Sequence, residues 1–596
     1  MKKKFFIFSL SVASLALVNK ANAQLSTGGA PLSILKGLTL NEPKTHIYYN
    51  PVTEESISSI NSDTTKMLTY VALMSETDLK FPESGEFHYT DDGTVIWKAK
   101  FTIPDALAIG MYFDNFVLPK GVSMYATNAN GKQILGAYTI ENNSQEDTKF
   151  ATEPIQGSTV NIELNINPSV DFNNIHFSMN QAAVYFTSIS YLAKYVTGDI
   201  LIDQDRYRLE GSSSTCMIEA KCAPDKYTTS LNASLQTLYV AGGGLSMCSA
   251  SMINNTGNSS STCKQYVLTA SHCQSNRLGT GDTTNTAFSQ TLFRYNFQKT
   301  TCTSTFPAEV STLSGANFRA RSPYDNSKTI NELGGDFLLL ELRTRVPEAW
   351  GAVLGGWDIN DQFNYLPSTG SRYTGFHHPA GDIKKTSWTR DLRRDNSYFS
   401  QQFAADVSQG GIARGSSGSS LFNDDNKIIG IASTAGNDDP TCGGGFTNSL
   451  YPDFLLYINY YRISHAWEFH TAPSRQLKVW LDPANTGKTI MASATNNCVP
   501  IDGTSINESS NEFDNAINIY PNPSTGLLNL KINLNEASDI SIEVYNTVGA
   551  RVNSYSIANA TNVVKEIDLS HLNSGVYLVK LSDGTNISTK KVTISK

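Results

Sequence analysis

Tyr266-Val267-Leu268-Thr269-Ala270-Ser271-His272-Cys273 runs from a strand-like apolar stretch into a turn that carries a histidine beside a cysteine. A lone histidine in such a place is usually structural, so its meaning depends on what lies downstream. Gly335-Asp336-Phe337-Leu338-Leu339-Leu340 sets an aspartate at the mouth of a second apolar strand. Gly415-Ser416-Ser417-Gly418-Ser419 then brackets a serine with glycines ahead of Leu421-Phe422. Nucleophilic serines need such glycines, because the chain must turn sharply and its N–H groups must converge on the oxygen that becomes negative during acyl transfer. The order His, Asp, Ser, with gaps of 64 and 81 residues, is hard to obtain by chance. His377 and His378 compete for the role of base, but they precede Pro379 in a separate motif.

Outward from these stretches, the cysteines mark a region. All eight lie between Cys216 and Cys498, and none falls in residues 24–208. The whole chain has 596 residues, enough for roughly three to five domains at about 150 residues each. Charged residues make up 17%, below the typical fraction of about 25%, and Gly, Ser, Thr and Asn fill the gap in a β-rich, turn-rich balance. A net charge of −8 provides no basic field for nucleic acid or an anionic membrane. This composition excludes a disordered chain, a collagen, a coiled coil and a polytopic membrane protein. No metal motif competes: His465 and His470 are five apart, and neither H-E-x-x-H nor an acidic calcium loop is present.

The N-terminus reads as a secretory signal over residues 1–23. Lys2, Lys3 and Lys4 precede a short apolar run from Phe5 to Val18, and Ala21-Asn22-Ala23 gives the small-residue cleavage pattern ahead of Gln24. Export makes disulfides permissible. Residues 24–208 read as an antiparallel β domain, with hairpins turning at Asp92-Gly93 within Gly85–Ile103 and at Asn130-Gly131 between Val122–Ala126 and Gln133–Thr139. Residues 209–496 read as many short strands, with an amphipathic helix expected only over Tyr460–Phe469. A polar linker, 497–515, leads to a small all-β tail, 516–596, with strands expected at Leu527–Ile532, Ile540–Tyr545, Val563–Leu569 and Val576–Leu581.

The three opening stretches resemble those of the chymotrypsin-fold serine proteases, whose histidine stands in a Thr-Ala-x-His-Cys context. More narrowly, the chain from about Gly211 to Gly487 resembles the bacterial lysyl endopeptidases. The resemblance is carried by Leu268–Cys273, Asp336–Leu342, Gly356-Trp357-Asp358, His377-His378-Pro379, Gly410–Ser419 and Trp480–Gly487. It implies a mainly β chain: a chymotrypsin-like double β-barrel protease domain between a β-rich propeptide and a small β-sandwich sorting domain. It also implies Ser417 as nucleophile, His272 as general base, Asp336 as its orienting partner, and the N–H groups of Gly415 and Ser417 as the oxyanion hole. Three disulfides follow from the same resemblance, Cys216–Cys442, Cys222–Cys302 and Cys248–Cys273. The even count leaves Cys263 and Cys498 as a fourth pair. No cofactor and no metal are implied.

The resemblance thins at the specificity pocket. Lysyl endopeptidases resemble one another in an acidic S1 pocket, with a glutamate shortly before the nucleophile and an aspartate after a Thr-Asn pair. Here Gly410–Gly415 is one residue short and holds Arg414 where the acid is expected, while Asp453 comes two residues late after Thr447-Asn448. Asp453, with Arg414 and Ser433, is assigned to this pocket, where its carboxylate would bind a lysine or arginine side chain. A Pro-Asp turn role for Asp453, and a pocket for acidic or neutral residues beside Arg414, stay open. Ser416 stands where animal trypsins hold an aspartate, so activation is expected not to depend on an ion pair with a new N-terminus.

Residues 24–208 occupy the place of a propeptide, with maturation expected between Tyr207 and Gly211 and Arg208 as the candidate residue before the cut. Ile519–Gly526, Val544–Gly549, Gly575-Val576-Tyr577 and Lys590-Lys591-Val592 resemble the C-terminal sorting domain of the type IX secretion system. The expected partners are protein or peptide substrates, the chain's own propeptide and the outer-membrane secretion machinery, with no nucleic acid. The expected place is outside the cell or on its surface. The alternatives are the same protease with non-basic specificity, or an inactive surface adhesin on the protease fold.

Overall fold

The computed structural model describes residues 26–62, 69–186, 190–195, 213, 217–259, 261–274, 281–304, 310–323, 335–360, 373–394, 402–435, 441–442, 457–501, 516–546, 550–583 and 587–596. The expected signal segment, the expected maturation site, most of the expected linker, Cys216 and Asp453 lie outside them. The chain divides into two compact units, Met1–Val499 and Pro500–Lys596.

In the first unit, the cysteine-free segment builds two sheets over a shared core. One orders Thr45–Ile47, Val95–Thr102, Thr159–Ile166, Val122–Asn128 and Ile134–Tyr138 side by side, with Glu86–Tyr89 paired to Val95–Thr102. Both expected hairpins are therefore present. Alternation drives the burial: Val160, Ile162, Leu164 and Ile166 all point inward from one strand. They meet Trp97, Phe101, Phe113, Phe116 and Phe177 from neighbouring strands. Each such side chain removed from water stabilises the fold by roughly 1.5–3 kcal/mol.

The second sheet of this segment does not end at its own edge. Its strand Thr69–Lys80 pairs on one side with His176–Tyr185 and on the other with Gly244–Ile253, beyond the expected propeptide boundary. From there the sheet continues into a first barrel. Ser234–Ala241, Gly244–Ile253, Tyr266–Thr269 and Leu338–Leu342 pair in succession, with Leu292–Tyr295, Ser311–Ser314 and Ala316–Arg321 completing the wall.

A second barrel closes fully. Tyr373–His377, Lys385–Arg394, Gln402–Gln409, Tyr457–Arg462, Lys427–Ala435 and Ser420–Phe422 pair in that order, and the last pairs back to the first. The helix expected over Tyr460–Phe469 is thereby corrected. Its first residues finish the strand Tyr457–Arg462, and only Ile463–Trp467 is helical. Tyr460 and Tyr461 are both buried because this strand is covered on both faces, and aromatic residues favour such a surface.

The second unit is a five-stranded sheet with its own apolar core. Two of the expected short strands, Leu527–Ile532 and Ile540–Tyr545, are parts of one 20-residue strand, Leu527–Asn546. The polar residues between them read as a turn in the sequence. In the fold a register shift between Asn533 and Ser538 absorbs the break while pairing with Arg551–Asp568 continues.

Candidate active site

Two adjacent strands of the first barrel bring the histidine and the aspartate together. Tyr266–Thr269 is buried along its length and ends in the turn Ser271–Cys273. Leu338–Leu342 pairs with it antiparallel, Leu338 opposite Thr269, so the residues just before Leu338 emerge beside that turn. His272 Nδ1 lies 2.7 Å from Asp336 Oδ2, and the His272 amide donates to Oδ1 at 3.1 Å. Ser433, expected in the specificity pocket, donates its hydroxyl to Asp336 Oδ2 at 2.6 Å. Both members of the His–Asp pair are almost wholly buried. A carboxylate in that setting is costly unless its oxygens are occupied by donors, and here they are.

The sequence reading missed Arg321. Its guanidinium is buried and donates to the Ser271 hydroxyl and carbonyl, to Gln274 Oε1 at 2.7 Å and to the Asp282 carbonyl at 3.0 Å. Burial pulls its pKa down to about 10, against the opposing pull of the Asp282 and Asp336 carboxylates, so it stays cationic at neutral pH. Its partners lie on segments that only the fold brings beside the strand Ala316–Arg321, so no local signal marked it. Arg321→Leu removes the clamp on the histidine turn. Hydrogen bonds from a charged group contribute about 1.5–3 kcal/mol each. The expected result is a fall in kcat of about 10- to 100-fold with KM little changed, read from steady-state kinetics on the folded variant.

Ser417 sits half-buried on a turn shaped by Gly415 and Gly418, both at positive φ, 95° and 80°. A Cβ at Gly418 would stand 2.1 Å from Thr269 Oγ1 and 2.4 Å from the Ser249 carbonyl oxygen, so the close approach to the histidine-bearing strand requires glycine. The turn is fastened by Ser249 N–H to the Ser417 carbonyl at 2.9 Å and by Gly418 N–H to the Ala432 carbonyl at 2.8 Å. Next to Ser249, Cys248 is bonded to Cys273. The loop of Ser417 and the turn of His272 are thus held against the same stretch of strand.

His377 and His378 stand behind this loop. Ser416 Oγ is 2.8 Å from His377 Nδ1, and His378 stacks on Phe297 with its Nδ1 3.0 Å from the Asp382 carbonyl. Burial, aided by Lys385, pushes the His377 pKa down to about 3, and burial with Lys384 holds His378 well below its ordinary value. Both imidazoles are neutral, and Ser416 is hydrogen-bonded to one of them. Arg414 is exposed, with its carbonyl accepting the Ala380 amide at 2.6 Å.

Three of the expected cysteine pairs lie at bonding distance. They are Cys222–Cys302, Cys248–Cys273 and Cys263–Cys498, with Cα separations of 4.6, 5.9 and 5.5 Å. The pairing of Cys216 with Cys442 falls outside the described residues. Among the described residues, one cluster has metal-ligand chemistry, Cys248, His272 and Cys273, but its two sulfurs are bonded to each other. The Cys263–Cys498 bridge spans 235 residues and fastens the end of the first unit. Replacing both cysteines with serine should lower stability by about 2–5 kcal/mol, measured by denaturant unfolding under non-reducing conditions.

Residues 210–443 match the family model of the lysyl endopeptidase C-terminal domain. Residues 518–595 match that of the secretion system C-terminal sorting domain, which marks export by type IX secretion to the cell surface or beyond. Solved structures with low similarity include a thermostable serine protease, AL20, from an extremophilic microorganism (14% identity, TM-score 0.26, covering 39% of this chain and 93% of that one). Another is the protease Anisep of Arthrobacter nicotinovorans (15% identity, TM-score 0.25, covering 39% and 91%). The two domain matches together support a secreted protease.

Proposed function

We propose that this chain is a secreted serine endopeptidase made as a zymogen, cleaving after lysine or another basic residue through an acyl-enzyme on Ser417. In this reading the Ser417 hydroxyl attacks the scissile carbonyl, and His272 Nε2 takes its proton and returns it to the leaving amine. Asp336 fixes the imidazole through Nδ1 and stabilises its protonated form. The N–H groups of Gly415 and Ser417 receive the oxyanion, where loss of one donor costs about 3 kcal/mol. The observation that carries the reading is the buried 2.7 Å contact of His272 with Asp336, whose carboxylate also accepts from the His272 amide and Ser433.

The domain roles follow. Residues 24–208 serve as propeptide, released by a cut between Tyr207 and Gly211. Residues 209–496 form the enzyme, 497–515 the linker and 516–596 the sorting domain. The preference for lysine draws support from the lysyl endopeptidase match over residues 210–443, and Asp453 lies beyond its end. Asp453 would supply the countercharge for a basic side chain.

Digestion of a denatured protein mixture, with the new termini mapped by mass spectrometry, tests the specificity. Cuts after lysine or arginine are expected, and Asp453→Asn should depress them far more than esterase turnover of a neutral substrate. Cuts after acidic or neutral residues would move the pocket's character to Arg414. No cutting by a folded, matured chain would favour the adhesin.

A further inference from the structure

The strand Gly244–Ile253 has an edge that both a substrate and this chain's own N-terminal segment can use. Its far end, Ser251–Ile253, pairs with Tyr266–Thr269, the strand that leads to His272. In the middle, Cys248 is bonded to Cys273, and Ser249 N–H holds the Ser417 carbonyl. Toward its start, Met247 packs against the oxyanion turn: a Cβ on Gly415 would lie 2.6 Å from Met247 Cε. A leaving amine that takes its proton from His272 must depart on the His272 side of Ser417. Gly244–Met247 leads directly into Cys248 and Ser249, which are tied to the His272 turn and the Ser417 loop, and an extended peptide satisfies its backbone groups by pairing along such an edge.

That edge is occupied. Leu73 stands opposite Gly244, Ala72 opposite Leu245, Tyr70 opposite Ser246 and Thr69 opposite Met247. The Met74 amide donates to the Gly243 carbonyl at 3.0 Å. The contact is built on both sides. The Tyr70 ring lies over the barrel's Gly242–Gly244 turn, where a Cβ on Gly242 would come within 2.5 Å of the Tyr70 oxygen and one on Gly244 within 2.5 Å of its ring. Away from the edge, acidic residues of the same segment fasten it to the barrel. Glu153 pairs with the buried Arg294 at 2.7 Å and accepts from Thr312 at 2.8 Å, and Asp147 pairs with Arg343 at 2.8 Å.

We propose that the strand Thr69–Lys80 blocks the leaving-group side of the cleft by strand addition on Gly244–Met247, competing there with the part of a substrate beyond the scissile bond. The inference rests on the protease reading above and identifies the surface through which the precursor is restrained. It assigns Ala72, whose amide lies on the same strand edge as that of Met74, and the Tyr70 ring as the groups that hold the block.

The test uses the full-length precursor, with intact mass checked so that cleavage cannot explain a gain, alongside the same chain after proteolytic release of the segment. Hydrolysis of a fluorogenic peptide extending several residues past its scissile bond is compared among wild type, Ala72→Pro and Tyr70→Ala. Hydrogen exchange at Gly244–Met247 and fluorophosphonate labelling of Ser417 are followed on the same samples. The wild-type precursor should cleave the peptide at least 100-fold more slowly than the released enzyme, with Gly244–Met247 protected. Each variant should lose that protection and gain at least 10-fold in cleavage. Exposed Gly244–Met247 amides with cleavage still as slow as wild type would overturn the proposal, as would a protected precursor that cleaves at the released rate. Failure of Ser417 to label in any folded form would instead defeat the protease reading, since the exchange data report the strand separately.

Discussion

Ser417→Ala should lower kcat for peptide hydrolysis on the order of 10⁶-fold, with the fold and the disulfides unchanged. The size follows from the division of labour in the site. In the proposed mechanism His272 and Asp336 would have no nucleophile to activate without the Ser417 hydroxyl, and a water in its place would form no acyl-enzyme. The residual rate would come from substrate binding and from the Gly415 and Ser417 amides, which do not depend on that hydroxyl. Methyl for hydroxymethyl is a small change on a turn whose geometry is set by Gly415, Gly418 and the bond from Ser249 N–H to the Ser417 carbonyl. Circular dichroism and denaturant unfolding should therefore match wild type, and single-turnover kinetics should show no acyl-enzyme burst.

The second large effect is expected from Asp336→Asn, a fall in kcat of about 10⁴-fold with KM close to wild type. Asp336 Oδ2 faces His272 Nδ1 at 2.7 Å and also accepts the Ser433 hydroxyl at 2.6 Å, while Oδ1 accepts the His272 amide. An asparagine can keep its oxygen on one of these donors, but its NH₂ group then faces another partner. If it donates to Nδ1, the imidazole carries its proton on Nε2, where it cannot accept from Ser417. The charge that would stabilise the imidazolium is also gone. Misfolding would also lower apparent kcat at unchanged KM by reducing the active fraction, so circular dichroism and denaturant unfolding of the same variant, matching wild type, separate the two.

The two barrels and the site were legible in the sequence to different depths. The histidine turn, the aspartate at its strand mouth and the glycine-bracketed serine could be read because each needs a local signature of apolar run, turn and small residue. Arg321 and the placement of Ser433 were not legible, since each acts across strands that only the barrel brings together. Tyr460 and Tyr461 misled for a related reason: a strand covered on both faces loses the alternation that marks a half-exposed one. Likewise, the polar run after Ile532 looks like a turn, but a register shift carries the strand through it. The joining of Thr69–Lys80 to Gly244–Ile253 was hidden as well, because strand pairing across such a distance leaves no local mark.

The central claim is that Ser417 is the nucleophile of an active serine peptidase. Its most direct test is fluorophosphonate labelling of the matured, folded chain, followed by mass-spectrometric mapping of the modified residue. The account predicts a single adduct on the peptide bearing Ser417, absent in Ser417→Ala and greatly slowed in Asp336→Asn. A folded chain that takes no label, or takes it at another residue, would contradict it.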